Sequence, residues 1–152
     1  MSFVLQPIPP DQPLAGVVAG VVPALDAETA EMLAEGLAVM RQVARPPVWG
    51  NYMAWRDGVA VGCCGFKALP DSPPEIGYMT FARAEGTGVA TAMVGALLAI
   101  ATAAGATSVT ALTLPAPNAS NRALARNGFV HAGDVIDPDE GPVWRWEWHA
   151  VV

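Results

Sequence analysis

Between Glu75 and Thr91 an apolar strand, Glu75-Ile76-Gly77-Tyr78-Met79-Thr80-Phe81, runs into Glu85-Gly86-Thr87-Gly88-Val89-Ala90-Thr91 and on into an Ala-rich helix. This junction constrains the chain more than any other segment. Two glycines let the backbone take dihedrals closed to other residues and approach a ligand closely. The unpaired amides of the helix's first turn then point outward, with the positive end of the helix dipole behind them. The result is an anion cradle that a pyrophosphate would fit.

The neighbouring residues discriminate among sites of this kind. A Rossmann dinucleotide site wants a third glycine three residues after the second and an acidic residue about 20 positions on. Here position 91 is Thr, and Gly105 to Leu114 carries no acid. A P-loop needs a Lys after its glycines, whereas Lys67 is the chain's only lysine and precedes them.

A second signal is Pro117-Asn118-Ala119-Ser120-Asn121-Arg122-Ala123-Leu124-Ala125-Arg126-Asn127-Gly128-Phe129, which follows a β-branched run from Thr107 to Leu114. Together the two segments resemble motifs A and B of the GCN5-related N-acetyltransferase (GNAT) family. In that family a strand, glycine loop and helix hold acetyl-CoA, and a short helix ending in Gly-Phe closes the site. Glu75-Ile76-Gly77-Tyr78 looks most like the fourth strand of the Rim-type acetyltransferases. The resemblance covers about Val59 to Trp148, and the first forty residues match only in general layout.

The resemblance implies a direct, ternary-complex acetyl transfer from acetyl-CoA to a primary amine, with no metal. The pyrophosphate loop carries over onto Gly86, Thr87, Gly88, Val89, Ala90 and Thr91, and the pantetheine arm onto the backbone of Tyr78, Met79 and Thr80. Glu85 stands where the family usually has Gln or Arg, and another register would give that role to Arg83. Asn118 resembles the Asn that touches the cofactor arm, or serves only as a helix N-cap. Arg122 and Arg126 either reach the 3'-phosphate or solvate a helix face.

The attacking amine must lose a proton, for which the family commonly uses a carboxylate. Glu75 is the candidate by position. Ala111, Leu112 and Thr113 stand on the next strand where other members place a Glu. Leu124 occupies the place of the Tyr that many relatives use to protonate the departing thiolate, which leaves water, unassisted departure or Tyr78. That departure also admits a second function, a non-catalytic acyl-CoA-binding or regulatory module on the same fold. The acceptor stays open among a protein N-terminus, an amino acid, a polyamine and an aminoglycoside.

A length of 152 residues suits one domain, 1–152, that buries about two thirds of its unfolded surface. A formal charge of −6 with 8 basic residues opposes a nucleic-acid partner, because phosphate neutralisation needs a stripe of Lys and Arg. Cys63 and Cys64 are adjacent, so a strand points them to opposite faces and they form no CxxC site; reduced, buried or half-buried thiols are expected. The N-terminus shows no secretory pattern, so the chain is read as cytoplasmic. Gly86 to Gly105 is uncharged, yet its Ala/Thr/Gly character without anchors suits a packed central helix better than a membrane span.

The elements expected along the chain are a strand over 2–8, a helix from Asp26 to Val43 capped by Asp26, and a hairpin turning at Asp57-Gly58. Strand 75–81, helix 88–104, strand 107–114, helix 118–127 and strands 129–135 and 143–149 follow. The segment before Pro23 is ambiguous. This order gives an α/β fold of the GNAT kind, a mixed and mostly antiparallel sheet flanked by helices. Trp144, Trp146 and Trp148 share one face of the last strand, for core packing, an acceptor pocket or a homodimer contact. His131, Asp134, Asp137, Asp139 and Glu140 read as a solvated acidic loop rather than a metal cluster.

Overall fold

The computed structural model describes residues 2–151. Its elements are β1 (Phe3–Pro7), α1 (Leu14–Ala19), α2 (Ala27–Met40), β2 (Asn51–Arg56), β3 (Val59–Lys67), β4 (Glu75–Thr80), α3 (Val89–Ala103), β5 (Ser108–Thr113), α4 (Ala119–Arg126), β6 (Val130–Asp137) and β7 (Gly141–His149). The strands form one sheet in the order β1-β2-β3-β4-β5-β7-β6. Every neighbouring pair is antiparallel except β4 with β5.

Local chemistry accounts for most of these elements. Asp26 caps α2 by accepting from the Thr29 amide at 3.1 Å, and Leu33 and Leu37, one turn apart, bury one stripe of that helix against the sheet. Asp57 and Gly58 take φ of +51° and +82°, the left-handed pair that a two-residue turn needs to match the twist of β2 and β3. The ambiguous segment resolves into α1, whose Val17 packs with Val21, Leu33 and Leu37.

Side chains alternate across the sheet to fill two cores. On one face Phe66, Ile76, Val109 and Ala111 pack under α3 and α4, with Met93, Val94 and Leu97 inserting from α3. On the other, Met53, Cys63 and Phe81 pack under α1 and α2. Cys63 and Cys64 are both buried free thiols divided between these cores. The uncharged stretch around α3 packs on the sheet and on α4, where Asn127 donates to the Thr91 carbonyl at 3.1 Å. No helix among the described residues is long and apolar enough to cross a membrane.

The three indoles of β7 belong to the first core. Trp146 is buried and its Nε1 donates to Thr113 Oγ1 at 3.0 Å and Asn121 Oδ1 at 3.1 Å, tying β7, β5 and α4 together. Trp144 and Trp148 pack partly buried beside it. His131 stacks on Trp144 with ring centres 4.7 Å apart, and Asp137 accepts from the amides of Asp139 and Glu140, which holds its carboxyl below the usual range. Among the described residues no group of three or more His, Cys, Asp or Glu is arranged to hold a metal ion.

Candidate active site

The site begins where the sheet parts. β4 and β5 pair only at Glu75 with Thr110 and Ile76 with Ala111. Beyond Ile76 the two strands diverge, and Gly77 to Thr80 of β4 face the gap without a β5 partner. The parting strand leaves backbone donors and acceptors free along one edge of an otherwise continuous sheet.

At the end of this gap a short 3-10 turn, Ala82–Ala84, feeds the glycine loop. Gly86 and Gly88 have φ of +74° and +85°, and a Cβ at either would meet no atom within 4 Å. Gly88 caps α3 with no side-chain hydrogen bond, so the first-turn amides have no side-chain cap. The loop, the first turn of α3, β4 and α4 enclose a cleft of about 570 Å³. Tyr78, Met79 and Thr80 line one side, Gly86, Gly88, Val89, Ala90 and Thr91 the floor, and Ala119, Ser120, Arg122 and Arg126 the far wall.

The side chains of Thr87 and Asn118 also bond within the protein. Thr87 Oγ1 donates to the Ala84 carbonyl at 2.5 Å and accepts from Arg56 Nη2 at 3.0 Å, so its side chain shapes the loop instead of lining the cleft. Asn118 Oδ1 accepts from the Asn121 amide at 2.9 Å, which makes it the N-cap of α4; Ala119 and Ser120 form the cleft wall at that point. Arg83 is also committed elsewhere. Its guanidinium donates to the carbonyls of Pro23 at 2.6 Å and Ala60 at 2.7 Å, fastening the segment after α1 to β3.

The cleft's charge comes from both sides of the loop. Arg122 and Arg126 project along the same face of α4 into its wall, and exposed Glu85 lies at its rim. Behind the loop, Arg56 donates through Nη1 to the Thr87 carbonyl at 3.1 Å as well as to its hydroxyl. Arg56 is a residue that sequence reasoning missed. It sits beside the hairpin turn, 31 positions before its partner, and no local pattern links the two.

Two further groups stand on β4. The Tyr78 hydroxyl donates to the Ser120 carbonyl at 3.1 Å across the cleft, and burial pushes its phenol well above the usual range. Glu75, on the opposite face of the strand, is half-buried and paired with Lys67 at 3.4 Å. Leu124 is fully buried in the core. A second cavity, of about 150 Å³, lies beneath α2 on the Glu75 face, and Tyr78 and Met79 line both it and the cleft. The arrangement suits an extended anionic molecule laid along an open strand edge, with its phosphates at a helix N-terminus.

The family model for the Acetyltransferase (GNAT) domain matches residues 17–130. It reaches further toward the N-terminus than motifs A and B alone suggest. A structure of the aminoglycoside acetyltransferase AAC(6')-Ib in complex with coenzyme A has a TM-score of 0.70 at 18% identity, over 97% of this chain and 95% of that one. RimL, a ribosomal alpha-N-protein acetyltransferase in complex with coenzyme A, has a TM-score of 0.70 at 15% identity, over 98% and 94%. An IAA acetyltransferase from Bacillus cereus has a TM-score of 0.69 at 13% identity, over 98% and 100%. No curated protein matches the sequence. These likenesses establish the fold, and the family match, which takes in β4, the glycine loop, α3 and α4, establishes that the chain belongs to the GNAT acetyltransferases.

Proposed function

We propose that the protein transfers the acetyl group of acetyl-CoA directly to a primary amine, as one domain spanning the chain. The observation that carries this reading is the continuity of the parted β4 edge with the glycine loop and the uncapped first turn of α3. Acetyl-CoA, when bound, supplies an activated thioester. The chain's residues would hold it through the backbone of Tyr78, Met79 and Thr80 and the amides around Gly86, Gly88, Val89, Ala90 and Thr91. Thr87 supports the loop from behind through Arg56, and Asn118 acts indirectly by capping α4.

Arg122 and Arg126 offset the polyanion's charge and the unfavourable carboxylate of Glu85. Glu75 is the proposed base. A carboxylate partly shielded from water and two residues before Gly77 on the same strand face is placed to take a proton from an amine approaching from the α2 side. Lys67 holds it in place and competes for it. The Glu75-Ile76-Gly77-Tyr78 strand supports a place among the Rim-type enzymes, and the cytoplasm is the proposed location. A homodimer, if formed, would use a surface other than buried Trp146.

The test is Glu75→Gln with an amine panel and calorimetric acetyl-CoA binding. Turnover is expected to fall about 10²- to 10⁴-fold with binding retained. A second reading, a silent acyl-CoA binder, draws on Leu124 in the place of the family's Tyr. Unchanged turnover in the variant would remove Glu75 from its role, and wild-type protein that binds acetyl-CoA but acetylates no amine would favour the binder.

A further inference from the structure

The β2–β3 hairpin reaches the glycine loop with one side chain. Arg56, the last residue of β2, spreads its guanidinium over Thr87, giving Nη1 to the carbonyl at 3.1 Å and Nη2 to the hydroxyl at 3.0 Å. Its aim is set by the strand that carries it. Pairing of β2 with β3 slips by one residue between Ala54 and Trp55, leaving Val61 without an opposite residue, and such a bulge adds local twist and re-aims the side chains beside it. The turn beyond is tied down as well. The Asp57 amide donates to the Ser2 carbonyl at 3.0 Å, and Asp57 Oδ1 accepts from the Ser2 amide at 2.7 Å. Half-buried Arg56 therefore stands on a braced strand end.

This contact decides which way one peptide points. The Thr87–Gly88 bond is trans, so its C=O and N–H project to opposite sides. Arg56 holds the carbonyl on the hairpin side of the loop and does not itself line the cleft. The Gly88 amide is thereby turned the other way, toward the cleft that Gly88 lines, and among the described residues it donates to no carbonyl. A glycine loop readily loses such an orientation. Gly88, at φ +85°, tolerates either sign of φ and offers little resistance to rotation of the peptide before it. A flipped peptide would turn the Thr87 oxygen toward a bound anion, beside the carboxylate of Glu85 already at the rim.

We infer that Arg56 is a positioning residue of the cofactor site: its guanidinium fork locks the Thr87–Gly88 peptide in the orientation that offers the Gly88 amide to the pyrophosphate of acetyl-CoA. The inference rests on the cofactor cleft of the acetyltransferase reading proposed above. Arg56 acts from outside the cleft, and its effect on binding passes through the population of correctly turned loops. If nine in ten loops turn over without it, apparent affinity falls about tenfold, since a ligand binds only the competent fraction. A lysine brings the same charge as a single point and does not hold carbonyl and hydroxyl together in one plane.

Arg56→Met, Arg56→Lys and Thr87→Val would be compared with Arg83→Met, which removes a guanidinium that holds the Pro23 and Ala60 carbonyls and no atom of the glycine loop. The measurements are calorimetric acetyl-CoA binding, steady-state acetylation of an amine panel and amide NMR spectra of the ligand-free proteins. Arg56→Met is expected to weaken acetyl-CoA binding and raise its KM at least tenfold while kcat stays within about threefold, and Arg56→Lys to recover only part of that loss. Arg83→Met is expected to bind within twofold of the wild type. Thr87→Val keeps the carbonyl contact and is expected to weaken binding about threefold; combined with Arg56→Met it adds nothing further, because both changes act on one peptide. In the ligand-free spectra the Gly88 amide signal shifts and broadens by exchange in Arg56→Met and not in Arg83→Met. Unchanged acetyl-CoA affinity in Arg56→Met, full recovery in Arg56→Lys, or an equal loss in Arg83→Met would overturn the lock. Wild-type protein that binds acetyl-CoA, loses it in Arg56→Met and acetylates no amine would support the lock and sink the transferase reading alone, whereas a wild type without acetyl-CoA affinity would overturn both.

Discussion

Gly88→Ala separates the two jobs of the glycine loop, and Gly105→Ala, at the other end of α3, is its matched control. Gly88 has φ +85° and Gly105 φ +92°, and a Cβ at either meets nothing within 4 Å. The stability cost is therefore backbone strain alone, about 1–2 kcal/mol for an L-residue in the left-handed region. A narrower unfolded ensemble offsets about 0.4–1 kcal/mol of it. Both variants should then lose about 1 kcal/mol, or about 2–4 °C in Tm for a domain of this size.

Cofactor affinity should divide them. The open space beside Gly88 is the cleft, so the new methyl occupies the place where the backbone must approach an anion. Loss of even one charge-assisted amide contact, about 1.5–3 kcal/mol, weakens acetyl-CoA binding at least about tenfold. Calorimetry with acetyl-CoA and differential scanning on both variants make the comparison. Gly88→Ala that binds acetyl-CoA as tightly as Gly105→Ala would refute the cradle.

Tyr78→Phe tests how the thiolate departs. Burial keeps the Tyr78 phenol far above a thiol's pKa of about 8.5, and its one proton is donated to the Ser120 carbonyl at 3.1 Å, so it does not readily surrender that proton to a thiolate. A fall in kcat of about tenfold or less is expected, and a fall beyond about 100-fold would show a true proton donor. The buried thiols set a limit at alkaline pH. Burial pushes Cys63 from 9.0 to about 12, so above pH 9 the unfolded chain releases a proton that the folded one keeps. Stability falls as pH rises, by about 1.4 kcal/mol per pH unit for one thiol. Urea unfolding at pH 7 and pH 10.5 should show the decline, and Cys63→Ala should lessen it; equal stability at the two values would contradict the burial.

Features governed by near neighbours were legible in the sequence. The caps at Asp26 and Asn118 each bond to an amide three residues on. The Asp57-Gly58 turn and the Gly86 and Gly88 dihedrals are likewise backbone preferences of the residues themselves. The α1 segment was not readable. Six residues of Leu, Ala, Gly and Val have no cap and little periodicity, and this helix exists because α2 and Phe81 offer its Val17 a place to bury. Asn118 shows what motif reading leaves open: its type and approximate place match the family, and its Oδ1 caps α4, the alternative role the sequence already offered.

The site divides along the same line. From the sequence alone came the strand, glycine loop and helix, which follow from dihedral freedom and periodicity over a few residues; the mixed sheet followed from the order of elements, and Glu75 was chosen on what the family resemblance implies. Only the tertiary structure brought Arg56 to Thr87 across 31 residues, fastened Arg83 to Pro23 and Ala60, paired Glu75 with Lys67, and set Gly65 against Gly77 beneath α2 with Asn51 alongside. Those contacts depend on strand register and on which face of the sheet each helix covers. Register is a cooperative property of the whole sheet, and even partners as near in sequence as Lys67 and Glu75 meet only once it is set.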